Sequence, residues 1–101
     1  MNPSDDDDFG FALPPFKPED ALQALKRTLR DLKLAERGNA FELRGKRVLD
    51  ITTETDALQV RVARKLALTP EWDVFGVRNA NEQRKLIDEV KKRLARWAQE
   101  D

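Results

Sequence analysis

The chain has 101 residues, 19 Lys or Arg against 19 Asp or Glu, and no His, Cys or Tyr, which is material for one domain. Without imidazole, thiol or phenol it lacks most of the groups that act as nucleophiles, proton shuttles and soft metal ligands, so an enzyme or a zinc protein is not expected and no disulfide framework exists. The zero net charge hides a division, because residues 1–20 hold six acids and one base while the remainder carries an equal excess of base, an asymmetry that marks a tail with a separate job.

The tail opens with the run Asp5 to Asp8, followed by Phe9, Phe11, Leu13 and Phe16 among Pro14, Pro15 and Pro18. Adjacent like charges repel, and proline blocks both helix and ladder bonding, so residues 1–17 are expected to be disordered or extended, with residues 18–101 forming a single domain. The four apolar side chains serve either as anchors for a partner or as a lead-in that packs beside the first helix. The start has no basic n-region, and no apolar run approaches the roughly 18 residues of a spanning helix. A soluble, cytoplasmic protein with no membrane contact is expected.

Pro18 suits a first helical position, Glu19 and Asp20 complement the positive end of the helix dipole, and Gly38 follows a basic stretch containing Lys33 and Arg37. Leu22, Leu25, Leu29 and Leu32 recur at helical spacing, so the first helix is read from Pro18 to about Arg37, with one buried stripe. From Ala40 the period changes to two. Phe41 and Leu43, then Leu49 and Ile51, predict paired strands, and a three-residue loop from Gly45 to Arg47 is preferred because it sets Phe41 against Ile51 and Leu43 against Leu49 on one apolar face.

Beyond the polar break at Thr52 to Asp56, Leu58, Val60 and Val62 alternate as a third strand. The spacing of Leu58, Val62 and Leu66 also suits a helix, and the β-branched valines favour the strand. Trp72 to Val77 gives a fourth strand, in which the apolar parity slips between Val74 and Phe75 and predicts a bulge or an end of pairing. Asn79 with Glu82 forms a capping-box variant for the last helix, whose apolar face gathers Leu86, Ile87, Val90, Leu94, Trp97 and Ala98. The expected fold is α+β: helix, three- or four-stranded antiparallel meander, helix, with both helices on one face of the sheet. Double-stranded-RNA-binding domains share this order, but Asn79-Ala80-Asn81-Glu82-Gln83-Arg84-Lys85 has no lysine cluster and places Glu82 where phosphate would lie, so topology assigns no family.

Two surfaces are candidates for binding. Lys26, Arg30, Lys33 and Arg37 are expected to form a strip on the first helix beside the leucine stripe, with phosphate binding as the sharp reading and cationic stems along the apolar edge as the plain one. Arg44, Arg61 and Lys65 are expected to emerge on the uncovered sheet face, partly offset by Glu42 and Asp50. Neither Asp5 to Asp8 nor Asp50, Glu54 and Asp56 has the spacing of a calcium loop, so no metal and no cofactor is expected. The leading expectation is a small non-enzymatic module that binds an unidentified protein through its sheet edge or through the tail, as a monomer or an edge-paired homodimer. The alternative is a nucleic-acid-binding body masked by its own acidic tail.

Overall fold

A computed structural model describes residues 16–99. Phe9, Phe11 and Leu13 therefore lie outside the described residues, as do Asp5 to Asp8. The chain forms α1 (Pro18–Asp31), five strands β1 (Ala35–Arg37), β2 (Ala40–Leu43), β3 (Lys46–Thr53), β4 (Leu58–Ala63) and β5 (Trp72–Val77), and then α2 (Ala80–Trp97). The strands make one antiparallel sheet in sequence order. The α+β meander flanked by helices agrees with the sequence, but the sheet has five strands where three or four were expected.

The additional strand comes from a helix shorter than its charge pattern suggests. At the end of α1 the Lys33 amide donates to the Arg30 carbonyl and the Leu34 amide to that of Leu29, at 2.9 and 3.2 Å, with Lys33 at φ +71. This is a Schellman stop with lysine, rather than glycine, in the left-handed position, and the buried Leu29 and Leu34 bracket it. Lys33 and Arg37 therefore do not extend α1, and Arg37 belongs to β1, where it pairs with Ala40.

The β2–β3 connection also differs from the expected three-residue loop. Arg44 and Gly45, at φ +56 and +77, form a two-residue turn between the paired Leu43 and Lys46, and positive φ at both central residues is the type I′ requirement. A turn of that length alone would set Phe41 against Val48. A bulge intervenes, so that Glu42 pairs with Arg47 but Phe41 with Leu49, and the neighbouring Val48 and Leu49 are both buried. The β4–β5 ladder, by contrast, runs without a slip from Leu58 opposite Val77 to Ala63 opposite Trp72. No bulge answers the Val74 and Phe75 parity change; Val74 is simply exposed on the far face.

Phe41, Leu49, Ile51, Leu58, Val60, Val62 and Val77 form the sheet side of the core, against Leu25 and Leu29 of α1 and Leu86, Val90 and Trp97 of α2. Leu58–Ala63 is strand, as the valines indicate. Phe16 is half-buried and packs on this core. At the start of α2 the Asn79 side chain accepts from the Glu82 amide, while the Glu82 carboxylate accepts from the Arg78 amide, both at 2.8 Å. The reciprocal bond thus reaches one residue further back than in a standard capping box. No helix among the described residues is long and apolar enough to cross a membrane.

Lys33 occupies a conformation that costs an L side chain on the order of 1 kcal/mol. Replacement Lys33→Gly is expected to raise stability by about 0.5–1 kcal/mol, read as a rise of a few degrees in the unfolding midpoint. A lower midpoint would mean that the lysine side chain contributes more than its backbone costs.

Candidate functional site

Arg93 lies on the buried stripe of α2, one turn from Val90 and Trp97, and is only 7% exposed. Its Nε donates to Glu89, Nη1 donates to the carbonyls of Val62 and Ala63, and Nη2 donates to Asp73 at 2.7 Å. The guanidinium carbon also stands 5.6 Å from the centroid of the Phe75 ring. Arg64 holds the second oxygen of Asp73 at 2.8 Å, and Arg96 donates to the Arg64 carbonyl. Arg64, and then Arg93, hold the Asp73 carboxyl below its ordinary pKa, against a smaller opposing effect of burial. One cation thus joins α2, the end of β4 and β5, and fixes β5 beneath one flank of α2.

The outer edge of β5 has no neighbouring strand among the described residues. The Arg64 amide donates to the Glu71 carbonyl at 2.9 Å, in phase with the β4–β5 register. Ladder bonds alternate along an antiparallel pair, so residues 71, 73, 75 and 77 bond toward β4, and Trp72, Val74 and Gly76 direct their N–H and C=O groups outward. Beside this edge runs a groove of about 440 Å³ lined by Val74, Phe75, Gly76, Glu82, Lys85, Leu86 and Glu89. On the sheet face away from the helices, Val74 is 55% exposed and Trp72 lies 4.5 Å from the Arg61 guanidinium. Arg61 is in turn clasped by Asp50 through Nε and Nη2, a hydrogen bond that raises its pKa further.

The opposite edge is built differently. β1 has three residues, two of them charged, and its charges are engaged: Glu36 takes Lys26 and Arg30 at 3.3 and 2.7 Å, and Arg37 meets Glu42 at 3.5 Å. A short, charged edge resists pairing with another chain. The six residues of β5 contain no Lys, Arg or Pro, and its pairing with β4 has no bulge. Its one acid, Asp73, is occupied by Arg64 and Arg93.

The structure divides the bases singled out in the sequence. Lys26 and Arg30 are ion-paired to β1, Arg37 to β2 and Arg61 to β3, so the expected helical strip of Lys26, Arg30, Lys33 and Arg37 does not form. Lys33, Arg44 and Lys65 instead come to one end of the sheet, where the α1 stop, the β2–β3 turn, the β4–β5 loop and the carboxyl end of α2 converge, together with Arg47, Arg64 and Arg96. The fully apolar Leu68 projects from the same loop, 81% exposed. Among the described residues no group of three or more His, Cys, Asp or Glu side chains converges as metal ligands would. Compared with known protein families, curated proteins and solved structures, the chain matches none.

Replacing Arg93 by Met keeps the apolar stem but removes the Arg93 donors from the Val62 and Ala63 carbonyls, from Glu89 and from Asp73, which then keeps only Arg64. A loss of about 2–3 kcal/mol is expected, read as a lower urea midpoint at unchanged slope. A neutral result would show that α2 docks without this cation. For Asp73, a lowered folded pKa means that its stabilisation is complete above the unfolded carboxyl value, near ~3.9, and is lost as pH falls through the folded value. Asp73→Asn should therefore be less stable than wild type at neutral pH, with a smaller further loss on acidification. Parallel stability curves for the two proteins would remove Asp73 from the ion pair.

Proposed function

We propose that the chain is a small, non-enzymatic, cytoplasmic interaction module that receives an extended strand of a protein partner along β5. The observation that supports this reading is the contrast between the two sheet edges. β1 is short, charged and engaged, whereas β5 presents the outward backbone groups of Trp72, Val74 and Gly76 beside an apolar groove. In strand addition, main-chain bonds supply affinity and pockets for alternate side chains supply specificity. The incoming strand would direct every second side chain toward Phe75 and Leu86 and the others over Val74 and Trp72.

The Val74 amide points away from β4, so proline there removes an edge donor while sparing the ladder. Peptides selected from a random displayed library against the full chain are expected to shift the amide resonances of Trp72, Val74 and Gly76 and to lose binding to a Val74→Pro variant. Selected peptides that bind this variant as tightly as wild type, or that shift only other regions, would refute the reading.

A second reading, duplex nucleic acid on the basic end with Asp5 to Asp8 as an internal phosphate mimic, is supported by the convergence of Lys33, Arg44, Arg47, Arg64, Lys65 and Arg96. Both helices also end at this pole, and cations there complement the negative ends of their dipoles without any ligand. Duplex affinity should fall by roughly 0.9 log unit per tenfold rise in salt for each phosphate contacted, and the double change Arg47→Glu, Lys65→Glu should flatten that slope. An affinity insensitive to salt or to the double change would exclude phosphate contact at this end.

A further inference from the structure

We infer that the strand received by β5 is β5 of a second copy, paired antiparallel about a two-fold axis through Val74. This rests on the strand-addition reading above and names its partner.

The phase of the ladder selects the register. In a two-fold antiparallel pair, the residues that meet must direct their side chains to the same face, and all outward backbone groups are used only when outward residues face outward residues. Centring the axis on Val74 satisfies both conditions. Val74 meets Val74 of the second copy, and Trp72 meets Gly76 in both directions, so every outward N–H and C=O of these three residues finds a partner. Centring it on Phe75 leaves a non-bonded pair on the axis and sets Trp72 against Arg78, beyond the end of the strand.

Side-chain shape favours the same register. Gly76 has no Cβ, and nothing lies within 4 Å of where one would stand, so the sheet face above it is open. The Trp72 indole of the other copy lies directly across and covers it, an aromatic side chain over an edge glycine. At the axis the two Val74 side chains, 55% exposed in the single chain, bury one another. No like charges meet along the strand, because Asp73, opposite Phe75, is held by Arg64 and Arg93 of its own chain.

Charge on the helix side is also self-complementary. α2 runs antiparallel to β5, so along the groove Glu82 lies toward the Gly76 end and Glu89 toward the Trp72 end, with Lys85 between them. The two-fold axis through Val74 brings Lys85 of each copy toward Glu89 of the other. Glu89 already accepts from Arg93 and has lone pairs left for a second donor. Among the described residues the product is a continuous ten-stranded sheet with four helices on one face, whose remaining edges are the two charged β1 strands.

The test uses the full chain. Light scattering after gel filtration, from low micromolar to sub-millimolar concentration, should show a mass rising from 11.6 kDa to twice that value. Hydrogen exchange at Trp72, Val74 and Gly76 should slow in parallel. Val74→Pro and Val74→Lys should each restore the single-chain mass with an unchanged circular dichroism spectrum, and Lys85→Glu should weaken association. A constant single-chain mass with fast exchange at the three amides would overturn the second-copy inference and leave strand addition standing. The same mass with slow exchange at all three would show an edge already covered within one molecule and overturn both. A dimer that survives both Val74 changes would place the contact elsewhere and overturn the inference.

Discussion

The Arg93 guanidinium sits where α2, the end of β4 and the start of β5 meet, and its bonds decide where each of them lies. A buried cation is costly unless its donors are used. Here two backbone carbonyls, Glu89 and Asp73 use them. Because those acceptors come from three elements, α2 can neither slide along the sheet nor rotate about its axis without leaving a charge unpaired in the interior. Apolar packing by Leu86, Val90 and Trp97 has no such directional demand. The cation therefore supplies register, and the hydrophobic stripe supplies most of the driving force.

That positioning leaves β5 open. α2 covers the helix-side face of the strand but does not wrap around its edge, so the backbone groups beyond Trp72, Val74 and Gly76 face outward while the Phe75 ring is fixed against Arg93. The rest of the molecule shows the usual defences against uncontrolled strand pairing: a three-residue β1 carrying Glu36 and Arg37, a bulge between β2 and β3, and tight two-residue turns. Their concentration away from β5 makes the difference between the edges a property of the whole sheet, not of one residue.

Much of the architecture was legible because its signals were local. The Trp72 to Val77 strand follows a proline and is rich in aromatic and β-branched residues, the valines of β4 decide between strand and helix, and Asn79 with Glu82 marks the start of α2. The end of α1 was not legible, since its stop uses Lys33 in a conformation that glycine normally advertises, and the bases at 33 and 37 imitate a last helical turn. The β2–β3 register failed for a different reason. A bulge at Val48 changes parity within a strand, and a loop placed by strict alternation on both strands contains none. Arg93 had a visible signal, a base set on the apolar stripe of Leu86, Val90 and Trp97, but Glu89 one turn earlier accounts for it equally well as a surface pair. The basic end could be found only once the meander brought the 44–45 turn, the 64–71 loop and the end of α2 together.

The two tryptophans occupy opposite situations. Trp97 is fully buried, and its indole nitrogen has no hydrogen-bond partner among the described residues, whereas Trp72 is half-exposed beside Arg61 at the margin of β5. An indole in a dry, apolar setting emits at shorter wavelength than one in contact with water, and a water-soluble quencher reaches only the latter. The protein thus carries two optical reporters of different events, one of global unfolding and one of whatever covers its open edge, and with no tyrosine in the chain neither signal has a competing background.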